Sequence, residues 1–266
     1  MKYKLIACDM DGTLLNSKLA ITVDTLFAIK KAMANGVKFT ISTGRPLLGI
    51  KKYVDIVGID TPVITYNGAM VVDPLTEEVL FKKDLLTSDA KKILELGTER
   101  NVLMIIWSNG KLYSNRQDER LENYRKLSGA IPTILTSYEE VLEQGISKIL
   151  WINDADIIQT YIIELAPISF ESVTYVTSQP IFLELFNKEV SKGVALDFIA
   201  KKYGIFQEEV VAFGDGLNDY EMIEYAGMGV AMGNAHPKIK EIANYITATN
   251  DEDGIADAIY ELILEN

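Results

Sequence analysis

Apolar and polar positions along the chain alternate between two kinds of stretch. Leu5-Ile6-Ala7-Cys8, residues 37–43 (VKFTIST) and residues 62–68 (PVITYNG) are or begin with short, largely apolar runs, the pattern of parallel strands covered on both faces. Between the first two lies TVDTLFAIKKAMANG, which reads as a helix with Thr22 as its N-cap and Gly36 just past its end. The same alternation returns near the C-terminus. SKGVALDFIAKKYG repeats apolar residues at Leu196, Ile199, Ala200 and Tyr203, and VVAFGDG follows as a strand. A helix through Met222 and Ile223, the run MGVAMG, a helix after Pro237, a short YIT strand and a last helix from about Gly254 complete the series. Strands alternating with helices predict an α/β fold, a doubly wound parallel sheet of Rossmann-like form.

The middle of the chain breaks this rhythm. MIIWSNGKLYS predicts a hairpin with its turn at Asn109-Gly110, and SVTYVTS with IFLELF predicts a second pair around Gln179-Pro180. The expected organisation is therefore a core from residues 1–83 and 186–266 with an α+β domain, 84–185, inserted as a cap. Hinges are expected near Lys83–Leu85 and Phe186–Val190. Trp107, Trp151 and Tyr113 in the insert read as core residues that could alternatively line a substrate pocket.

Composition narrows the function. The 266 residues are 48% apolar, and no run approaches the ~20 apolar residues needed to span a bilayer. A net charge of −12 argues against a nucleic-acid or anionic-membrane surface. A phosphate site in such a chain has to be local, built from backbone N–H groups, a few cations and a metal. The one cysteine, Cys8, reads as a core residue and fits a cytoplasmic setting. A thiolate phosphatase would need an arginine six residues on, where Leu14 stands. The one histidine, His236, reads as a helix-entry residue and excludes histidine-rich zinc sites. Nothing in the pattern indicates an oligomeric state.

Ligands of open α/β sheets bind beyond the carboxyl ends of the strands. The first strand ends in Asp9-Met10-Asp11-Gly12-Thr13 and the second in Ser42-Thr43-Gly44-Arg45. The strand after the insert ends in Gly214-Asp215-Gly216-Leu217-Asn218-Asp219, and Lys192 opens the helix before it. Each motif alone is ordinary: a turn, a capped helix start, a solvated lysine. Together they would bring four carboxylates and a lysine to one edge, an arrangement that repels itself unless a cation is present. Oxygen donors without histidine or thiolate favour a hard ion, and Mg²⁺ fits best. A calcium loop is disfavoured, because the DxDxDG pattern with its twelfth-position glutamate is missing. Arg45 could bind substrate or anchor its loop. Asn67-Gly68, ending the third strand, could touch substrate or merely turn the chain.

DMDGTLL, STGR, SKG and GDGLND, in that order around a large insert, resemble the four motifs of the haloacid dehalogenase (HAD) superfamily, in particular its Cof-type branch with a type IIB cap. The resemblance implies a phosphatase acting on small phosphate esters, with sugar phosphates expected. It implies Asp9 as nucleophile and metal ligand, and Asp11 as general acid/base that offers its backbone carbonyl to the metal. Met10 (through its backbone N–H), Thr43, Gly44, Lys192 and Asn218 would hold the phosphoryl group. Asp215 would complete the Mg²⁺ site, with Asp219 in a supporting position or as an occasional ligand. A phosphomutase on the same fold and a non-catalytic phosphoacceptor are the competing readings.

Overall fold

The computed structural model describes residues 2–265. The chain forms two compact units, residues 1–81 with 191–266, and residues 82–190. The junctions expected from the sequence, 83/84 and 185/186, are displaced by a few residues. Phe186 and Asn187 continue the strand Phe182–Asn187 of the second unit's sheet, so they stay with the insert.

The first unit is built on a five-stranded parallel sheet in the order Tyr245–Ile246, Met228–Ala231, Val210–Gly214, Leu5–Cys8, Lys38–Ile41. Leu5–Cys8 and Val210–Gly214 are completely buried, as their unbroken apolar runs require. The helix Val23–Ala34 begins where Thr22 caps it, its side chain accepting the Thr25 N–H at 3.3 Å, and it ends before Gly36 at φ 88°. The helix Lys192–Lys202 is capped by Ser191, whose hydroxyl accepts the Val194 N–H at 3.2 Å. Leu196, Ile199 and Ala200 are buried, while Tyr203 sits at the helix end with the Lys38 ammonium 4.1 Å from its ring centre. His236 caps the helix Pro237–Ile242 by accepting the Lys238 N–H at 3.2 Å.

Strand order explains where the chemistry collects. From the first strand, Leu5–Cys8, the chain first builds outward to Lys38–Ile41, then returns after the insert to add Val210–Gly214 on the other side. The direction of winding reverses between these neighbours, and a crevice opens there at the carboxyl ends of the strands. Asp9 and Asp215 are the first residues past those two ends, and the Asp9 N–H donates to the Phe213 carbonyl at 2.9 Å. A three-stranded sheet, Val63–Thr65, Met70–Val72 and Val79–Lys82, flanks this one; Ser42 and Ile64 form an isolated parallel bridge.

The second unit carries a six-stranded mixed sheet in the order Val173–Gln179, Phe182–Asn187, Ile146–Ile152, Leu103–Ser108, Lys111–Ser114, Thr133–Ile134. Its helices Thr87–Glu99 and Ala155–Leu165 pack Ile93, Leu94 and Ile158 against Met104, Ile149, Trp151 and Leu185. The hairpin turn falls at Asn109 and Gly110, at φ 48° and 72°, the left-handed pair that a two-residue turn demands. Trp107, Trp151 and Tyr113 are buried. No helix among the described residues is long and apolar enough to cross a membrane.

Candidate active site

Asp9 follows the strand Leu5–Cys8 and is 5% exposed. Its Oδ1 accepts from the Lys192 ammonium at 2.5 Å, and the same ammonium donates to Asp219 Oδ1 at 2.5 Å. Lys192, the first residue of its helix, is entirely buried. A cation there works against both the helix dipole and burial. Burial alone would lower the Lys192 pKa, but the carboxylates of Asp219 and Asp9 reverse that and hold it above the ordinary value. Lys192 therefore stays charged. Asp9 is pushed well above the usual carboxylate range, first by burial and then by Asp219, with Lys192 opposing.

Asp215 follows the neighbouring strand, with its Oδ1 accepting from the Thr13 hydroxyl at 2.8 Å. Burial, with the repulsion of Asp219 added, lifts its pKa to about 6 against the Thr13 hydrogen bond. Gly12 is required beside it. Its φ is 85°, and a Cβ there would lie 2.5 Å from Asp215 Oδ2. Asp219 is wholly committed: Oδ1 to Lys192, and Oδ2 to the N–H groups of Asp215 and Gly216, both at 2.9 Å. Carboxylate oxygens of Asp9, Asp215 and Asp219 lie within 4.8 Å of one another. Three buried or half-buried acids with only Lys192 between them form an all-oxygen donor set for a hard divalent cation. Asp9 and Asp215 have oxygens to offer such an ion; Asp219 would have to give up existing partners.

The remaining predicted residues gather on the same edge. Thr43 is buried, its hydroxyl accepting the Arg45 N–H at 3.2 Å, with Gly44 next to it. Met10 is buried, and among the described residues its N–H donates to no protein acceptor, although its carbonyl accepts from Leu15. Asn218 is exposed and donates from Nδ2 to Asn67 Oδ1 at 3.1 Å. Asp11 is the outlier. Its side chain is 51% exposed and is forked by Arg45, Nε to Oδ2 at 2.8 Å and Nη2 to Oδ1 at 2.5 Å.

Three contributors are not evident from the sequence. Thr13 holds Asp215. Arg45, which by its position could bind substrate or anchor its loop, holds the Asp11 carboxylate. Asn234, just after the run MGVAMG, donates from Nδ2 to the Gly12 carbonyl at 2.8 Å and so braces the loop that follows Asp9. The available signal for Asn234 is its place just past the strand Met228–Ala231, on the same edge as the other motifs.

Comparison with known proteins agrees with this geometry. The family model for haloacid dehalogenase-like hydrolases matches residues 6–259. The Bacillus subtilis protein YxeH, named as a candidate phosphatase, is 38% identical over 98% of this chain and 99% of its own. A second B. subtilis relative, the 5-amino-6-(5-phospho-D-ribitylamino)uracil phosphatase YitU, is 31% identical over 98% of this chain and 97% of its own. The solved structure of TM0651 from Thermotoga maritima superposes with a TM-score of 0.88 at 30% identity, covering 98% of this chain and 97% of that one. The HAD subclass IIB sugar phosphatase BT4131 superposes with a TM-score of 0.82 at 28% identity, covering 97% and 98%.

Proposed function

We propose that this chain, which belongs to the haloacid dehalogenase-like hydrolase family and is a phosphoric monoester hydrolase, cleaves small sugar phosphates through a phosphoryl group carried on Asp9. The observation that carries the reading is the buried Lys192 ammonium between Asp9 and Asp219, with Asp215 alongside. So much buried charge serves structure poorly, because well-packed apolar residues of like volume would be as stable or more so. It serves a reaction in which negative charge must be gathered and released.

In the first half, an Asp9 carboxylate oxygen bonds to phosphorus as the ester P–O bond breaks, and Asp11 gives its proton to the leaving oxygen. In the second, the Asp11 carboxylate takes a proton from water, whose oxygen attacks phosphorus. The acyl P–O bond then breaks, returning Asp9 and releasing inorganic phosphate. Lys192, Thr43, the backbone N–H of Met10, Gly44 and Asn218 would hold the phosphoryl oxygens, and such positioning supplies most of the catalysis in phosphoryl transfer. Both Asp11 oxygens are engaged by Arg45, so proton transfer requires Asp11 to change partner.

Mg²⁺ would be held by Asp9, Asp215 and the Asp11 backbone carbonyl, with Asp219 positioning Lys192 and the Asp215–Gly216 loop. When bound it supplies charge neutralisation for the carboxylates and the phosphoryl oxygens. The raised pKa values of Asp9 and Asp215 support this assignment, since burial and the neighbouring Asp219 outweigh the one ammonium, Lys192, that offsets them. Residues 82–190 are proposed to set substrate preference, and a cytoplasmic location completes the reading.

The test is inorganic phosphate release across a panel of phosphorylated metabolites, with Mg²⁺ and with a chelator. Metal-dependent release from sugar phosphates supports the proposal. Transfer of the phosphoryl group back to sugar without release would point to a mutase, and release confined to another ester class would replace the substrate.

A further inference from the structure

The Tyr66-Asn67-Gly68 turn takes no part in the proposed reaction steps, yet it touches three of the elements that do. All three residues are left-handed, at φ 52°, 57° and 100°. Asparagine tolerates this conformation, tyrosine does so rarely, and two such non-glycine residues in succession are a strained arrangement that needs outside support. The support comes from the STGR loop, where the Thr43 carbonyl accepts the Asn67 N–H at 3.0 Å and the Arg45 carbonyl accepts that of Tyr66 at 3.3 Å. Gly68 lies directly against the start of the Lys192 helix, since a Cβ on it would be 2.2 Å from the Ser191 carbonyl oxygen.

The Asn67 side chain continues the pattern. It is 6% exposed, and its Oδ1 accepts from Asn218 Nδ2 at 3.1 Å. A Cβ on Gly44 would lie 2.9 Å from that same oxygen. The Asn67 carboxamide thus stands between the Gly44 backbone and Asn218, two of the groups proposed to bind phosphate. An exposed asparagine without an anchor can rotate its carboxamide and present the acceptor oxygen to an anion, which repels it. Only Nδ2 can bond to Asn67 Oδ1, so this contact keeps the donor end of Asn218 turned toward the Thr43-Gly44 loop.

We infer that Asn67 is a positioning residue of the phosphoryl site, acting through Asn218, and that its strained backbone is retained because it puts Oδ1 between Gly44 and Asn218. The inference rests on the phosphatase reading and goes beyond it, because Asn67 neither reacts nor binds metal. The experiment combines Asn67→Gly, which accommodates the left-handed backbone while deleting the side chain, with Asn218→Ala and the double variant. KM for a sugar phosphate, the inhibition constant of inorganic phosphate, kcat and Tm are measured for each.

The expected result for Asn67→Gly is KM and the phosphate inhibition constant both raised about tenfold, the worth of one hydrogen bond to a charged group. Its kcat should change less and its Tm should hold. In the Asn218→Ala background the same substitution should add less than about twofold, because its route of action is gone. Equal effects in both backgrounds would overturn the inference. So would a lowered Tm with KM unmoved, or an Asn67→Gly chain that does not fold, either of which would make the turn purely structural. A wild-type chain that hydrolyses no phosphate ester would overturn the phosphatase reading beneath it, an outcome distinct from the others.

Discussion

Arg45 grips Asp11 with two parallel N–H···O contacts, at 2.8 and 2.5 Å, although Asp11 is half exposed and each could be solvated by water alone. A bidentate fork of this kind fixes the plane of a carboxylate as well as its place. Asp11 is thereby held at the edge of the crevice, and in the proposed reaction it would exchange only one of these two contacts, the other keeping it in place. Replacing Arg45 by alanine should leave stability within about 1 kcal/mol, because exposed ion pairs contribute little. It should lower kcat about 10- to 100-fold, the scale on which misplacing a reacting group acts. Steady-state kinetics and thermal melts of Arg45→Ala and Arg45→Lys check this; an Arg45→Ala kcat equal to wild type would contradict it.

Lys192 should matter to the fold as well as to turnover. Among the described residues its ammonium is the sole cation paired with the buried carboxylates of Asp9 and Asp219. Lys192→Met removes it and leaves both acids uncompensated, with an expected cost of about 3–5 kcal/mol in metal-free buffer. Denaturant melts measure that loss, and a metal-free variant as stable as wild type would refute the expectation.

The pH dependence of stability follows from Asp215. Its folded pKa is about 6, above the ordinary carboxylate value of about 3.9. A raised folded-state pKa means that the native protein binds the proton more tightly than the unfolded chain does. The penalty for ionising Asp215 is therefore absent below about pH 4, grows through about pH 6 and is complete above it. Metal-free protein should lose stability across that window, Asp9 adding in the same direction. Mg²⁺ should stabilise more strongly as pH rises through it, because only the ionised acids bind a cation. Thermal melts from pH 4 to 8 with Mg²⁺ and with chelator test both signs. Asp215→Asn should flatten the metal-free curve.

Much of this site is legible in the chain because its motifs are local. A buried strand announces itself as an apolar run, and the residues just past its end must stand at the sheet edge. Asp9, Thr43 and Asp215 can be placed together by that rule alone, and Thr22 and Asn109-Gly110 mark a helix start and a turn by their residue types. Pairings between distant side chains cannot be read this way. Nothing local in STGR says that Arg45 reaches Asp11, and nothing in MGNA says that Asn234 reaches the Gly12 carbonyl. Asp219 is ambiguous between ligand and support until its partners are known, because the same carboxylate chemistry serves both.

Asp89 tests the second unit without touching the first. Its buried carboxylate accepts from the Ser172 N–H at 2.6 Å, the Ser172 hydroxyl at 2.7 Å and the Glu171 N–H at 3.3 Å. Burial would raise its pKa, but these hydrogen bonds outweigh it and hold the group below the usual range. Asp89→Ala should cost about 2–4 kcal/mol through the stranded donors. Inorganic phosphate binding at the first unit should be retained in the folded variant. Melts and phosphate titration of that variant check both.

The most direct measurement is mass spectrometry of protein quenched in acid during turnover of a sugar phosphate with Mg²⁺. The prediction is a phosphoryl adduct on the peptide that carries Asp9, present in wild type and missing from Asp9→Asn, which should also release no phosphate. An adduct on another residue, or phosphate release by Asp9→Asn at the wild-type rate, would contradict the account.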